Sequence, residues 1–233
     1  MPSNAMGEIE KNLSRVRERI EHAAAKVGRD PQGIKLVAVT KTVTVQRIRE
    51  ALAAGAMIFG ENYVQEAKAK IEEIGHSGIQ WHFIGHLQSN KAKYAVRLFD
   101  LIHAVDRLTV ARELDKRAAA EGKIVDCLIE VNLSQENSKF GMSKESTSEL
   151  AHALRDLKNI SLQGLMTMPP YADDPEAARP YFTALRQLRE EIEGMGIPLP
   201  ELSMGMSTDF AVAIEEGATI VRIGRAIFGE RSQ

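Results

Sequence analysis

Ile34-Lys35-Leu36-Val37-Ala38-Val39-Thr40-Lys41-Thr42 is the stretch that decides the fold. Its apolar, β-branched-rich run reads as a buried strand, and a helix-like pattern follows from about Val45 to Ala54. The turn between them carries no glycine. A doubly wound open sheet that binds a dinucleotide needs a glycine-rich phosphate loop after its first strand, so that reading fails at its defining position. What stands instead is a strand-helix unit whose strand ends on a lysine.

Upstream, Ile9, Leu13, Val16, Ile20 and Val27 recur at helical spacing among charged residues, an amphipathic opening helix closed by Gly28 and Pro31. Downstream, apolar runs at 57–60, 79–85, 101–105, 127–133, 162–168, 202–206 and 220–223 alternate with helical patterns such as Leu108, Ala111, Leu114 and Ala118. Strands alternating with helices predict a parallel sheet, and eight of them in this length predict a single (β/α)8 TIM-type barrel. We read residues 6–233 as one domain and residues 1–5 as a tag remnant ahead of Met6.

Composition narrows the function. Lysine plus arginine (30) nearly balances aspartate plus glutamate (32), with no long run of one sign, which disfavours nucleic acid as a partner. No stretch approaches the roughly 20 apolar residues of a membrane span. Cys127, the single cysteine, lies in an apolar run and is expected to be a buried core residue of a cytoplasmic protein.

Chemistry in such a barrel sits at the C-terminal ends of the strands. The polar residues there are Lys41, Glu61, Asn62, residues 86–90, Asp106, Asn132, Thr167, residues 207–209 and residues 222–225. A partly desolvated lysine at a strand end offers a usable neutral amine, and for Lys41 that reading stands beside the ordinary one of a solvated or salt-bridged group. Ser207 and Thr208 lie between a strand and a helix beginning near Asp209, where hydroxyls and N–H groups hold an anion or simply cap the helix. Gly224, after the last strand, lets backbone amides approach the same anion, because barrels often hold a phosphate between the loops after strands seven and eight. His82 and His86 are about 13 Å apart along an extended strand, too far to share a metal ion.

Six motifs occur in one order: Ala38-Val39-Thr40-Lys41-Thr42, Phe59-Gly60-Glu61-Asn62-Tyr63, residues 82–91, residues 164–170, residues 202–210 and residues 222–229. On these the chain resembles the pyridoxal 5′-phosphate (PLP) homeostasis protein family, whose barrel is similar to the N-terminal domain of alanine racemase. The resemblance implies that Lys41 carries PLP as a Schiff base. It also implies that Ser207, Thr208 and the backbone at Gly224 and Arg225 hold the phosphate, while Arg222 faces the pyridine nitrogen. Asn62 and His82 are expected around the ring, with Met204 packed nearby. The implied function is holding, buffering or delivering the cofactor, with apo PLP-dependent enzymes as acceptors. A single compact domain without a recognisable pairing segment predicts a monomer.

Two enzyme readings compete. An amino-acid racemase needs a proton donor or acceptor on each face of the substrate, and Lys41 serves one. In alanine racemase the opposing tyrosine comes from a second, β-rich domain, whereas this sequence stops at Gln233 soon after the eighth strand. A Schiff-base aldolase acting on a sugar phosphate also pairs a barrel lysine with a phosphate site.

Overall fold

Eight parallel strands pair in chain order and close into a barrel in the computed structural model, which describes residues 7–76, 78–134 and 140–230. They are β1 (Lys35–Val39), β2 (Ile58–Glu61), β3 (Gln80–Phe83), β4 (Leu101–Val105), β5 (Val125–Val131), β6 (Ile160–Thr167), β7 (Glu201–Ser203) and β8 (Ile220–Ile223). β1 closes on β8 in the register Lys35 to Ile220 through Ala38 to Ile223. Helices α1 (Glu8–Lys26), α2 (Val45–Ala53), α3 (Val64–Ile74), α4 (Ala92–Leu98), α5 (Leu108–Glu121), α6 (Lys144–Leu154), α7 (Arg179–Gly194), α8 (Phe210–Glu215) and α9 (Arg225–Phe228) surround it.

α1 precedes the first strand and packs on α2, α8 and α9, burying Ile9, Leu13, Val16 and Ile20 as their spacing predicts. Val27 departs from the predicted stripe: it caps the helix and is 41% exposed. Two side chains tie this region to the end of the chain. Asn12 Nδ2 donates to the Ile227 carbonyl at 3.0 Å, and Arg29 donates to the carbonyls of Ile214 and Ala218 at 2.7 and 2.8 Å.

Side chains alternate across each strand, so residues two apart share a face. Val37, Leu101, Leu128, Met166 and Ile220 form an apolar cluster. On the same strand faces, two residues further on, stand His103 after Leu101, Glu130 after Leu128 and Arg222 after Ile220, all buried. The barrel therefore turns from apolar to polar toward the C-terminal ends of its strands. Cys127 is free and fully buried, and desolvation pushes its thiol up to about 12. Among the described residues, no helix is long and apolar enough to cross a membrane.

Two strands are shorter than the apolar runs predict. β7 stops at Ser203, because Gly205 takes φ 91° and the following Met206 N–H turns to the Asp209 carboxylate at 2.6 Å. β3 stops at Phe83, where the chain bends past Gly85. A Cβ at Gly85 would lie 2.2 Å from the Asn62 carbonyl oxygen, so glycine lets the two strand ends come together.

Candidate functional site

A cavity of about 550 Å³ opens at the C-terminal ends of the strands. Of the nine residues singled out from the sequence, Lys41, Asn62, Ser207, Thr208, Arg222, Gly224 and Arg225 line it. His82 and Met204 are not on its wall. Met204 is fully buried in the large apolar core, while Met206, two residues on, reaches the cavity. His82 is buried beside His103, their rings 5.0 Å apart with Nδ1 of the first 3.0 Å from Nε2 of the second.

The loops after β7 and β8 are joined through residues of the site. Ser207 Oγ accepts the Ala226 N–H at 3.2 Å, which leaves its hydroxyl proton to be donated. The Arg222 N–H donates to the Gly205 carbonyl at 3.0 Å. Gly205 packs tightly: a Cβ there would come within 2.6 Å of Ala213 Cβ, so the loop lies directly on α8. Asp209 precedes α8, as the sequence predicts.

Arg222 is 4% exposed, yet its guanidinium is held. It donates to Ser203 Oγ at 2.5 Å and to the Thr167 carbonyl at 3.0 Å. Burial lowers it to about 10, opposed by the charges of Glu130 and Asp209, so it stays cationic at neutral pH. Glu130 is pushed up to about 7 by desolvation and then by Asp106, against the pull of Arg222. Ser203 Oγ also meets His103 Nδ1 at 2.9 Å, so a buried chain runs Arg222, Ser203, His103, His82. Desolvation lowers both imidazoles, His82 to about 3, which keeps them neutral. Sequence reading passes over His103 and Ser203 because their contacts span 21 and 100 residues with no local motif.

His86 lies 3.4 Å from Asp106 and stacks on Phe140, ring centroids 3.9 Å apart. Asn62 Oδ1 is buried without a hydrogen-bond partner among the described residues, a polar atom of the kind a ligand satisfies. Ile84, Met168 and Tyr171 also line the cavity and were not predicted to.

Lys41, Arg222, Arg225 and the hydroxyls of Ser207 and Thr208 around one cavity at the mouth of a (β/α)8 barrel give this protein a site of the kind that suits a small anionic ligand. The alanine racemase N-terminal domain family matches residues 11–232. The pyridoxal phosphate homeostasis protein of Aquifex aeolicus is 49% identical over 220 residues, covering 94% of this chain and 96% of that one. Its counterpart in Escherichia coli K12 is 44% identical over 232 residues, covering 97% and 98%. The structure of PipY from Synechococcus elongatus PCC7942 with PLP bound superposes with a TM-score of 0.84 at 35% identity, covering 95% of this chain and 100% of that one. The chain belongs to the pyridoxal phosphate homeostasis protein family, built on the barrel of the alanine racemase N-terminal domain.

Proposed function

We propose that this chain holds PLP on Lys41 and serves intracellular PLP homeostasis by buffering or delivering the cofactor. The observation that carries the reading is that Lys41 and the residues of the β7 and β8 loops line one cavity. When bound, PLP supplies an aldehyde that condenses with an amine, a phosphate anion and an aromatic ring nitrogen.

The residues present fit each part. Lys41 is the amine; Ser207, Thr208 and the backbone at Gly224 and Arg225 take the phosphate; the unpartnered buried Asn62 Oδ1 meets a polar edge of the ring. We place Arg222 against the ring nitrogen. A guanidinium only donates and stays charged, so it leaves that nitrogen unprotonated and the ring a weak electron sink, which suits holding the cofactor better than carbanion chemistry. His82 and Met204 act from behind this wall, His82 through the buried chain that ends on Arg222. Apo PLP-dependent enzymes are the acceptors, and the free, buried Cys127 suits a reducing cytoplasm. We take the working form to be a monomer.

Borohydride reduction of the loaded protein followed by peptide mapping tests the attachment. The pyridoxyl group is expected on Lys41, and Lys41→Ala should lose the visible absorbance while unfolding like the parent, since a half-buried strand-end amine adds little to the core. Label on Lys91 or any other lysine overturns the assignment.

A further inference from the structure

The turn that presents Lys41 is gripped from both sides. Before it, Thr40 is fully buried; its carbonyl accepts from Lys70 Nζ at 2.6 Å and its hydroxyl donates to Glu61 Oε1 at 2.6 Å. After it, Thr42 donates its backbone N–H to Glu66 Oε1 at 2.6 Å. Lys70 Nζ joins the two arms, 2.7 Å from Glu61 and 2.6 Å from Glu66. Its three N–H groups are thereby used on three oxygens.

A pair this deep, with side chains 8% and 0% exposed, is a weak source of stability, because desolvation offsets most of the attraction. Holding geometry is the better use of it. The backbone here needs holding: Thr42 has φ 62°, the one non-glycine residue with positive φ among the described residues. A β-branched side chain disfavours that conformation.

We infer that Glu61, Lys70 and Glu66 form a positioning clamp that keeps Thr42 in its left-handed backbone conformation and thereby aims Lys41 into the cavity. None of the three lines the cavity, so they act through the turn and not on the ligand. The inference rests on Lys41 being the attachment residue.

Glu66→Ala is the informative variant. It removes the arm on Thr42 and leaves the Lys70–Glu61 pair, whereas Lys70→Met strands Glu61 in a site where burial already raises its carboxyl. With the fold retained, PLP attachment followed by visible absorbance is expected to slow about tenfold, the population lost when a strained backbone is no longer held. The pH profile of the linked form is expected to shift as well. Pyridoxine 5′-phosphate, which lacks the aldehyde, should bind with parental affinity. Adding Thr42→Gly should restore the rate, because glycine takes a positive φ freely. Glu66→Gln, whose amide oxygen still accepts the Thr42 N–H, should fold and attach PLP as the parent does, and it carries the test if Glu66→Ala fails to fold. Parental kinetics in folded Glu66→Ala, loss of pyridoxine 5′-phosphate binding in step with attachment, failure of Thr42→Gly to rescue, or slow attachment in Glu66→Gln each overturns the clamp. Mapping of the parent label separates the two ideas: label away from Lys41 defeats the attachment reading itself, while label on Lys41 with unchanged variants defeats only the clamp.

Discussion

Glu130 shows how a single buried carboxyl couples this site to pH. It is 3% exposed and pushed up to about 7 from an ordinary 4.5. Below pH 4.5 it is neutral in both the folded and the unfolded chain; as pH rises the unfolded chain ionises first, so stability is lost up to about pH 7. His82 and His103 work the other way: they are neutral when folded and charge in the unfolded chain below 6.5, so their share is lost as pH falls. Glu130→Gln removes the first effect alone. Its stability advantage over the parent is expected to grow from pH 4.5 to pH 8 by roughly 3 kcal/mol. Urea unfolding of both proteins across that range is the measurement, and a pH-independent difference shows that Glu130 ionises normally.

Elements decide how much of this was visible beforehand. β4 and β8 occupy the runs at 101–105 and 220–223 to the residue, because a parallel strand buried along its whole length is mostly apolar, and His103 and Arg222 each interrupt a run at one position only. The run at 202–206 misled by three residues: Met204 and Met206 are apolar, but Gly205 turns the chain out of the strand and onto α8. That turn brings Ser207 to the Ala226 N–H and builds the junction of the β7 and β8 loops. Seven of the nine proposed ligand residues line the cavity because strand ends can be read locally. The clamp on Thr42 and the chain from Arg222 to His82 could not be read that way, since they depend on which residues the barrel brings together. At the loop junction, replacing Ser207 and Thr208 together by Ala is expected to weaken PLP more than pyridoxal, which has no phosphate. Each charge-assisted hydrogen bond lost should cost about 1.5 to 3 kcal/mol, read by titration calorimetry. Equal losses for the two ligands mean that these hydroxyls only brace the loops.

The molecule as a whole leaves its site in reach of other molecules. Met168 and Tyr171 line the cavity and are 40% and 72% exposed, so the cavity wall continues onto the outer surface. A holder of cofactor needs such a mouth; a racemase needs a second acid/base group opposite Lys41. Tyr171 is the tyrosine on the described wall, and its hydroxyl donates to Asp173 Oδ1 at 3.1 Å in an exposed loop, a poor place from which to move a substrate proton. A racemase without an effective group opposite Lys41 forgoes a general acid/base contribution of about 10²- to 10⁴-fold. The loaded protein is therefore expected to pass PLP to an apo PLP-dependent enzyme while racemising alanine and other amino acids no faster than free PLP. A transfer assay run beside a chiral assay over an amino-acid panel measures both. Racemisation at roughly 1 s⁻¹ or more that is lost in Lys41→Ala and in Tyr171→Phe would make Tyr171 the second base and this protein an enzyme.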